Sequence, residues 1–205
     1  MIAILTVALA AALFAAAGWT GTLAAEALCA GRTPFEDGPQ PVAFRRWPFA
    51  VAGGCIGAAL AVHGATPAQL AVLVVVTLAL AGCTAADFAC GVLPDVFTLG
   101  PLALVVGLGL VAHDIAPALG AAFVFVPFAA AATFSRGRGM GWGDAKLAAL
   151  GGSLLGARDA TLAFTLAAIA AYVIARRTGG ARRPIAFGPY LAASIVATLA
   201  AVRIF

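Results

Sequence analysis

Of the chain's eight carboxylates, Asp87, Asp95 and Asp144 are the informative ones, and Asp87 and Asp144 are the pair whose settings suggest chemistry. Asp87 follows the apolar run AVLVVVTLALAGCTAA with no basic residue beside it. An ionised Asp near the middle of a membrane helix costs about 2.5–3.5 kcal/mol on insertion scales, and less near the interface. Its presence there calls for a water-filled cavity, a shared proton or a partner. Asp144 closes the glycine-rich stretch Arg138-Gly139-Met140-Gly141-Trp142-Gly143 and opens the segment AKLAALGG. If two such carboxyl groups meet, they do not both ionise easily, and one keeps a proton. The ionised member can then draw a proton from water attacking a carbonyl, while the protonated member bonds the carbonyl oxygen. That is the chemistry of an aspartyl peptidase dyad. Spacing alone leaves it open beside proton or cation passage, the other common use of intramembrane acids.

The remaining acids have simpler readings. Glu36 and Asp37 lie in a polar connector, Glu26 at the end of an apolar segment, and Asp114 and Asp159 in the turns HDIAP and GARDA. In those turns an acidic helix-start residue is the ordinary expectation. Asp95, after Leu93-Pro94, reads as helix-start chemistry, with Pro suited to the first turn. Asp144 reads equally well as a simple N-cap. Glycines at 139, 141 and 143 permit positive φ and close approach of another group. They do not make a phosphate cradle of the Walker type, because Lys146 is followed by Leu147 rather than Ser or Thr. The four cysteines, Cys29, Cys55, Cys83 and Cys90, form no C-x-x-C pair, and their spacing suggests neither a zinc site nor a disulfide framework. They read as small hydrophobes.

The elements that must position these residues are set by composition. The 205 residues are 63% hydrophobic and 10% charged, far from the roughly 45–50% and 25% of soluble domains. That balance excludes a water-soluble globule and a disordered chain. A helix needs about 20 apolar residues to cross a bilayer. Segments near that length are 2–25, 48–64, 67–86, 96–113, 116–134, 145–157, 159–175 and 186–204. The expectation is one all-α domain over 1–205, a polytopic transmembrane bundle of about eight helices, with seven as the alternative. The segment 145–157 is short and contains Gly151 and Gly152, so it is either a half-span or a close partner of 159–175. The first segment has no basic leader and is too long for a signal-peptide core, so it reads as a true span. Residues 29–48, with four prolines, form a short cytoplasmic connector.

Basic residues orient this bundle. With the N-terminus outside, ten of the twelve Lys and Arg fall on the cytoplasmic side, and only Arg158 and Arg203 outside. Such a bias follows the positive-inside rule and puts Asp87, Asp95 and Asp144 at the inner face. The net charge of +4 therefore reflects membrane topology and not nucleic-acid binding. Membrane lipid is the expected surrounding, and oligomeric state is not readable.

On these residues the chain resembles the type IV prepilin peptidases, the bacterial GxGD membrane aspartyl proteases. Asp87 through Leu93-Pro94-Asp95 is similar to D-x5-LPD, and Gly139 through Gly143-Asp144-Ala-Lys146-Leu147 to GxGxGDxKL. Phe187-Gly188-Pro189-Tyr190-Leu191 is similar to the start of the family's last helix. The resemblance implies that Asp87 and Asp144 are catalytic and that Asp95, Lys146, Gly141 and Gly143 support them, with no metal and no cofactor. It implies a prepilin or pseudopilin substrate with a short basic leader before a hydrophobic helix, cut at the cytoplasmic boundary of the bacterial inner membrane. The connector holds Cys29 alone, so it lacks the paired C-x-x-C motifs that accompany N-methylation in larger members. Ala186 stands where the family has a proline. A non-catalytic component of pilus or secretion machinery, a proton or cation pathway, and a presenilin-like protease sharing only the GxGD element are the competing expectations.

Overall fold

A computed structural model describes residues 2–30, 45–135, 140–177 and 186–201. The connector expected at 29–48, Gly139 and several of the arginines used for orientation lie largely or wholly outside these residues. Seven helices make up the described structure: α1 (Ile2–Cys29), α2 (Trp47–Val62), α3 (Pro67–Cys90), α4 (Asp95–Val111), α5 (Ala116–Phe134), α6 (Trp142–Arg177) and α7 (Gly188–Ala201). Four of them, α1, α3, α5 and α6, are long and apolar enough to cross a membrane, and α2, α4 and α7 are shorter apolar helices. The protein is a helical membrane protein.

The expected count of eight is corrected to seven. Segments 145–157 and 159–175 join in one element, α6, broken at Gly156, whose φ of 74° and ψ of 168° lie outside helical space. Only glycine takes such a backbone freely. The two arms fold back on each other, because a Cβ at Gly151 would strike the Phe164 ring. In a straight helix those residues would stand about 20 Å apart. The short segment is thus the close partner of the one that follows.

Local chemistry starts and stops the other helices. Thr66 caps α3 in a capping box with Gln69, with Pro67 at the first helical position, and Gly91 ends it in the left-handed conformation at φ 64°. Pro94 precedes α4, and Asp95 occupies its first turn. Asp114 Oδ1 accepts the Ala116 N–H at 2.9 Å, one residue before the cap position of α5, which Ile115 occupies.

Small residues let these helices meet at backbone distance, the usual means of packing where lipid tails are as apolar as the side chains. A Cβ at Gly18 or Gly53 would run into the Phe49 or Phe14 carbonyl across the α1–α2 contact, and one at Gly120 into the Gly152 carbonyl across α5–α6. Phe14, Leu147, Leu150, Leu191 and Ile195 fill the centre. Val111, Phe123, Phe134 and Leu166 point outward, the inverse of a soluble surface.

Chain direction follows from these contacts. Helices α1, α3, α5 and the second arm of α6 run toward one end of the bundle. Helices α2, α4, α7 and the first arm of α6 start there. That end gathers the C-terminus of α3 and the N-termini of α4, α6 and α7.

Candidate active site

Asp87 sits in the last turn of α3, where its carbonyl accepts the Gly91 N–H at 3.0 Å as the helix closes. Its side chain is buried, and Oδ2 accepts the backbone N–H of Gly188, the first residue of α7, at 2.9 Å. This donor lies 101 residues away in sequence. It is the partner that an isolated carboxylate beside an apolar run requires.

Asp144 occupies the first turn of α6, three residues after Gly141. Its Oδ2 accepts the Gly141 N–H at 3.2 Å. The helix begins at Trp142, so Asp144 is the third helical residue reaching back to the cap position, and not the N-cap itself. The other oxygen, Oδ1, is buried and has no hydrogen-bond partner among the described residues. Leaving a buried acceptor unpaired costs about 1–3 kcal/mol, more when it is charged. Leu93 lies beside both Gly143, the neighbour of Asp144, and Gly188, the donor to Asp87. Two acids 57 positions apart thus converge at one end of the bundle.

Leu93 fixes how the helix ends surround this pair. A Cβ at Gly143 would lie 2.9 Å from Leu93 Cβ, and one at Gly188 would lie 3.3 Å from Leu93 Cδ2. The leucine before Pro94 therefore wedges between the first turns of α6 and α7. Gly143 serves close approach, and neither Gly141 nor Gly143 takes the positive φ that the sequence allows; the positive-φ glycines among the described residues are Gly64, Gly91 and Gly156.

Asp95 and Lys146 lie to one side. Lys146 Nζ donates to Asp95 Oδ1 at 2.6 Å, tying the start of α4 to the first turn of α6. Both side chains are partly exposed, so the pair is worth about 0.2–1 kcal/mol. It joins α4, which follows the helix of Asp87, to the helix that carries Asp144.

Two expectations about residues near the site are corrected. Cys29 and Cys90 are not bland hydrophobes: their sulfurs are joined in a disulfide, with Cα atoms 6.2 Å apart. The pairing is tertiary, created because α1 and α3 end side by side, so no spacing rule exposes it. Glu26 is more than a boundary charge. It pairs with Arg46, which also lies 5.8 Å over the Trp19 ring and so holds the start of α2 against α1. Cys55 is exposed and Cys83 buried one turn before Asp87, both unpaired. Among the described residues, no three His, Cys, Asp or Glu side chains gather as metal ligands would.

The sequence pointed to the aspartates but not to the donor that holds one of them. The signal for Gly188 was present in Phe187-Gly188-Pro189, a glycine just before a proline at a helix start, where a backbone N–H stands free of the helix ladder.

Residues 71–176, half of the chain, match the type IV leader peptidase family. No curated protein and no solved structure matches the chain.

Proposed function

The chain belongs to the type IV leader peptidase family, and on that premise we propose that it is an aspartyl endopeptidase removing the leader of type IV prepilins or pseudopilins at the cytoplasmic face of the bacterial inner membrane. The observation that carries this reading is the placement of two buried carboxyl groups, one from each motif, at a single end of the bundle, on either side of Leu93.

In this reading the pair holds one proton between them. The ionised carboxylate removes a proton from water as the oxygen attacks the scissile carbonyl. The protonated partner donates a hydrogen bond to the carbonyl oxygen, and that proton passes to the departing amine as the C–N bond breaks. Gly188 N–H keeps Asp87 in one orientation, and Gly141 N–H does the same for Asp144. The free Oδ1 of Asp144 is the acceptor suited to the attacking water.

Charge placement supports the orientation, with the N-terminus outside. Arg45, Arg46, Lys146, Arg176 and Arg177 lie at the dyad end, whereas Arg158 lies beside Gly156 at the other. Under the positive-inside rule the dyad end faces the cytoplasm. The substrate's basic leader would remain in the cytoplasm while its apolar helix enters the bilayer.

Co-expression with an epitope-tagged prepilin tests the reading. Asp87→Asn and Asp144→Asn keep size and hydrogen bonding but cannot ionise. Each is expected to lower leader removal by about 10²–10⁴-fold, the contribution typical of a positioned acid or base. Undiminished cleavage in either variant refutes the dyad.

A further inference from the structure

A peptidase that cuts just before an apolar helix must hold that helix with its first residue at the catalytic pair and its axis running into the bilayer. Two grooves run along the apolar flanks of the helices whose ends carry the site. One, of about 540 Å³, lies between α4, α5 and the first arm of α6 and is lined by Leu99, Ala103, Ala122, Phe125, Lys146 and Ala149. The other, of about 300 Å³, lies between α2, α3 and α7 and is lined on those helices by Ala52, Thr77, Thr84, Pro189, Ala193 and Ala197.

Helix geometry separates them. At about 100° per residue, Lys146 and Ala149 stand roughly 160° and 140° round α6 from Asp144, so the larger groove meets the back of that helix. Thr84 and Leu80 stand within about 60° of Asp87 on α3, so the smaller groove opens on the catalytic side. Its upper rim is continuous with the site: Thr84 is three residues from Asp87, and Pro189 follows Gly188, whose N–H holds Asp87. From that rim it descends along all three helices in register. At 1.5 Å per residue, Thr77 lies about 15 Å below Asp87, and Ala197 about 14 Å below Gly188.

The walls mix small residues with Phe49, Ile56, Leu80 and Val196, a surface of knobs and gaps that a helix can pack on. Ala52 on α2, Ala81 on α3, and Ala192, Ala193 and Ala197 on α7 line this groove. Small side chains let a second backbone come close, as in membrane helix pairs.

From this continuity and lining we infer that the α2–α3–α7 groove seats the apolar helix of the substrate, its first turn at Thr84 and Pro189 and its scissile peptide carried over the N-terminus of α7 to the aspartates. The inference rests on the peptidase reading and names the surface by which that substrate is held.

The test places a photoactivatable residue at Ala193 in an Asp144→Asn background, to retain uncut prepilin, with the same residue at Ala122 in the other groove for comparison. Adducts with the prepilin helix are expected from position 193 and not from 122. In parallel, Ala193→Trp in the otherwise unaltered protein should raise KM for prepilin at least about tenfold, equivalent to ~1.4 kcal/mol. Ala122→Trp should leave KM unchanged, and unaltered thermal melting of both variants excludes misfolding as the cause. Adducts from position 122 alone, from neither position, or an unchanged KM for a folded Ala193→Trp protein overturn the groove assignment. Absence of prepilin cleavage by the unsubstituted protein instead overturns the peptidase reading, so the two failures are distinct.

Discussion

Replacing Gly188 by Ala separates what this site needs for chemistry from what the fold needs for stability. A Cβ built at Gly188 falls 2.9 Å from Asp87 Oδ2, 3.3 Å from its Cγ and 3.3 Å from Leu93 Cδ2. No backbone atom obstructs it, so the contact is relieved when the carboxyl group swings away. That movement breaks the 2.9 Å bond from the Gly188 N–H. A hydrogen bond to a charged group contributes about 1.5–3 kcal/mol. If that energy holds Asp87 in its working orientation, its loss slows cleavage by about 10- to 150-fold at 1.36 kcal/mol per decade.

Stability should change little, because Ala is favoured over Gly in a helix by up to about 1 kcal/mol, which offsets part of the lost bond. About 0.5–2 kcal/mol is left uncompensated, so the melting temperature should fall by no more than about 8 °C. The assay is leader removal from purified prepilin in detergent or vesicles, followed over substrate concentration, with helical circular dichroism on the same preparations. Gly100→Ala is the control, since nothing lies within 4 Å of its Cβ position. A Gly188→Ala protein that cleaves within threefold of the unsubstituted one refutes the claim that this N–H orients Asp87.

Further outcomes follow from other contacts. Lys146→Ala and Asp95→Asn, singly and together, should show in a double-mutant cycle a coupling of about 0.2–1 kcal/mol that shrinks with added salt, because the pair is partly exposed; a coupling above 2 kcal/mol would mean a role that a surface ion pair cannot supply. Gly152→Val presses a side chain into the Gly120 carbonyl, where backbone cannot yield cheaply, and should destabilise by at least about 1–3 kcal/mol, read as a lower melting temperature and reduced accumulation in membranes. In detergent-denatured protein a maleimide should label Cys55 and Cys83 without reductant, and Cys29 and Cys90 only after reduction, all read by intact mass; labelling of Cys29 before reduction would refute the Cys29–Cys90 link.

Much of the architecture is legible in the sequence because the bilayer makes apolar length nearly equivalent to a helix. Thr66-Pro67 and Leu93-Pro94-Asp95 mark helix starts by chemistry that acts within four residues. The break at Gly156 is harder to see, since Gly151, Gly152 and Gly156 all lie in one stretch and only the third reverses the chain. What selects it is the antiparallel fit of Phe164 over Gly151, a contact between arms that local composition does not encode. The same limit governs the site. Asp87 and Asp144 are conspicuous because a charge beside an apolar run is costly. Their partners are not, because the Gly188 N–H, the Leu93 wedge and the Cys29–Cys90 link exist only after α1, α3, α6 and α7 have ended side by side.

That convergence of helix ends explains how so small a chain can keep two acids within its interior. A helix interior offers a carboxylate no free donor, since every N–H there is already bonded. Only the first turn of a helix presents unbonded N–H groups, together with the positive end of its dipole. Asp87 takes its donor from the start of α7, and Asp144 from the residue that opens α6. Both acids are thus held by backbone, which needs no long polar side chain threaded through an apolar bundle. Two helices must therefore begin at the depth where the third ends. Pro189, beside the start of α7, and Gly91, closing α3, are the residues that fix that depth. Moving any of these ends by one turn, about 5 Å, would leave a carboxyl group without its donor and the pair out of reach.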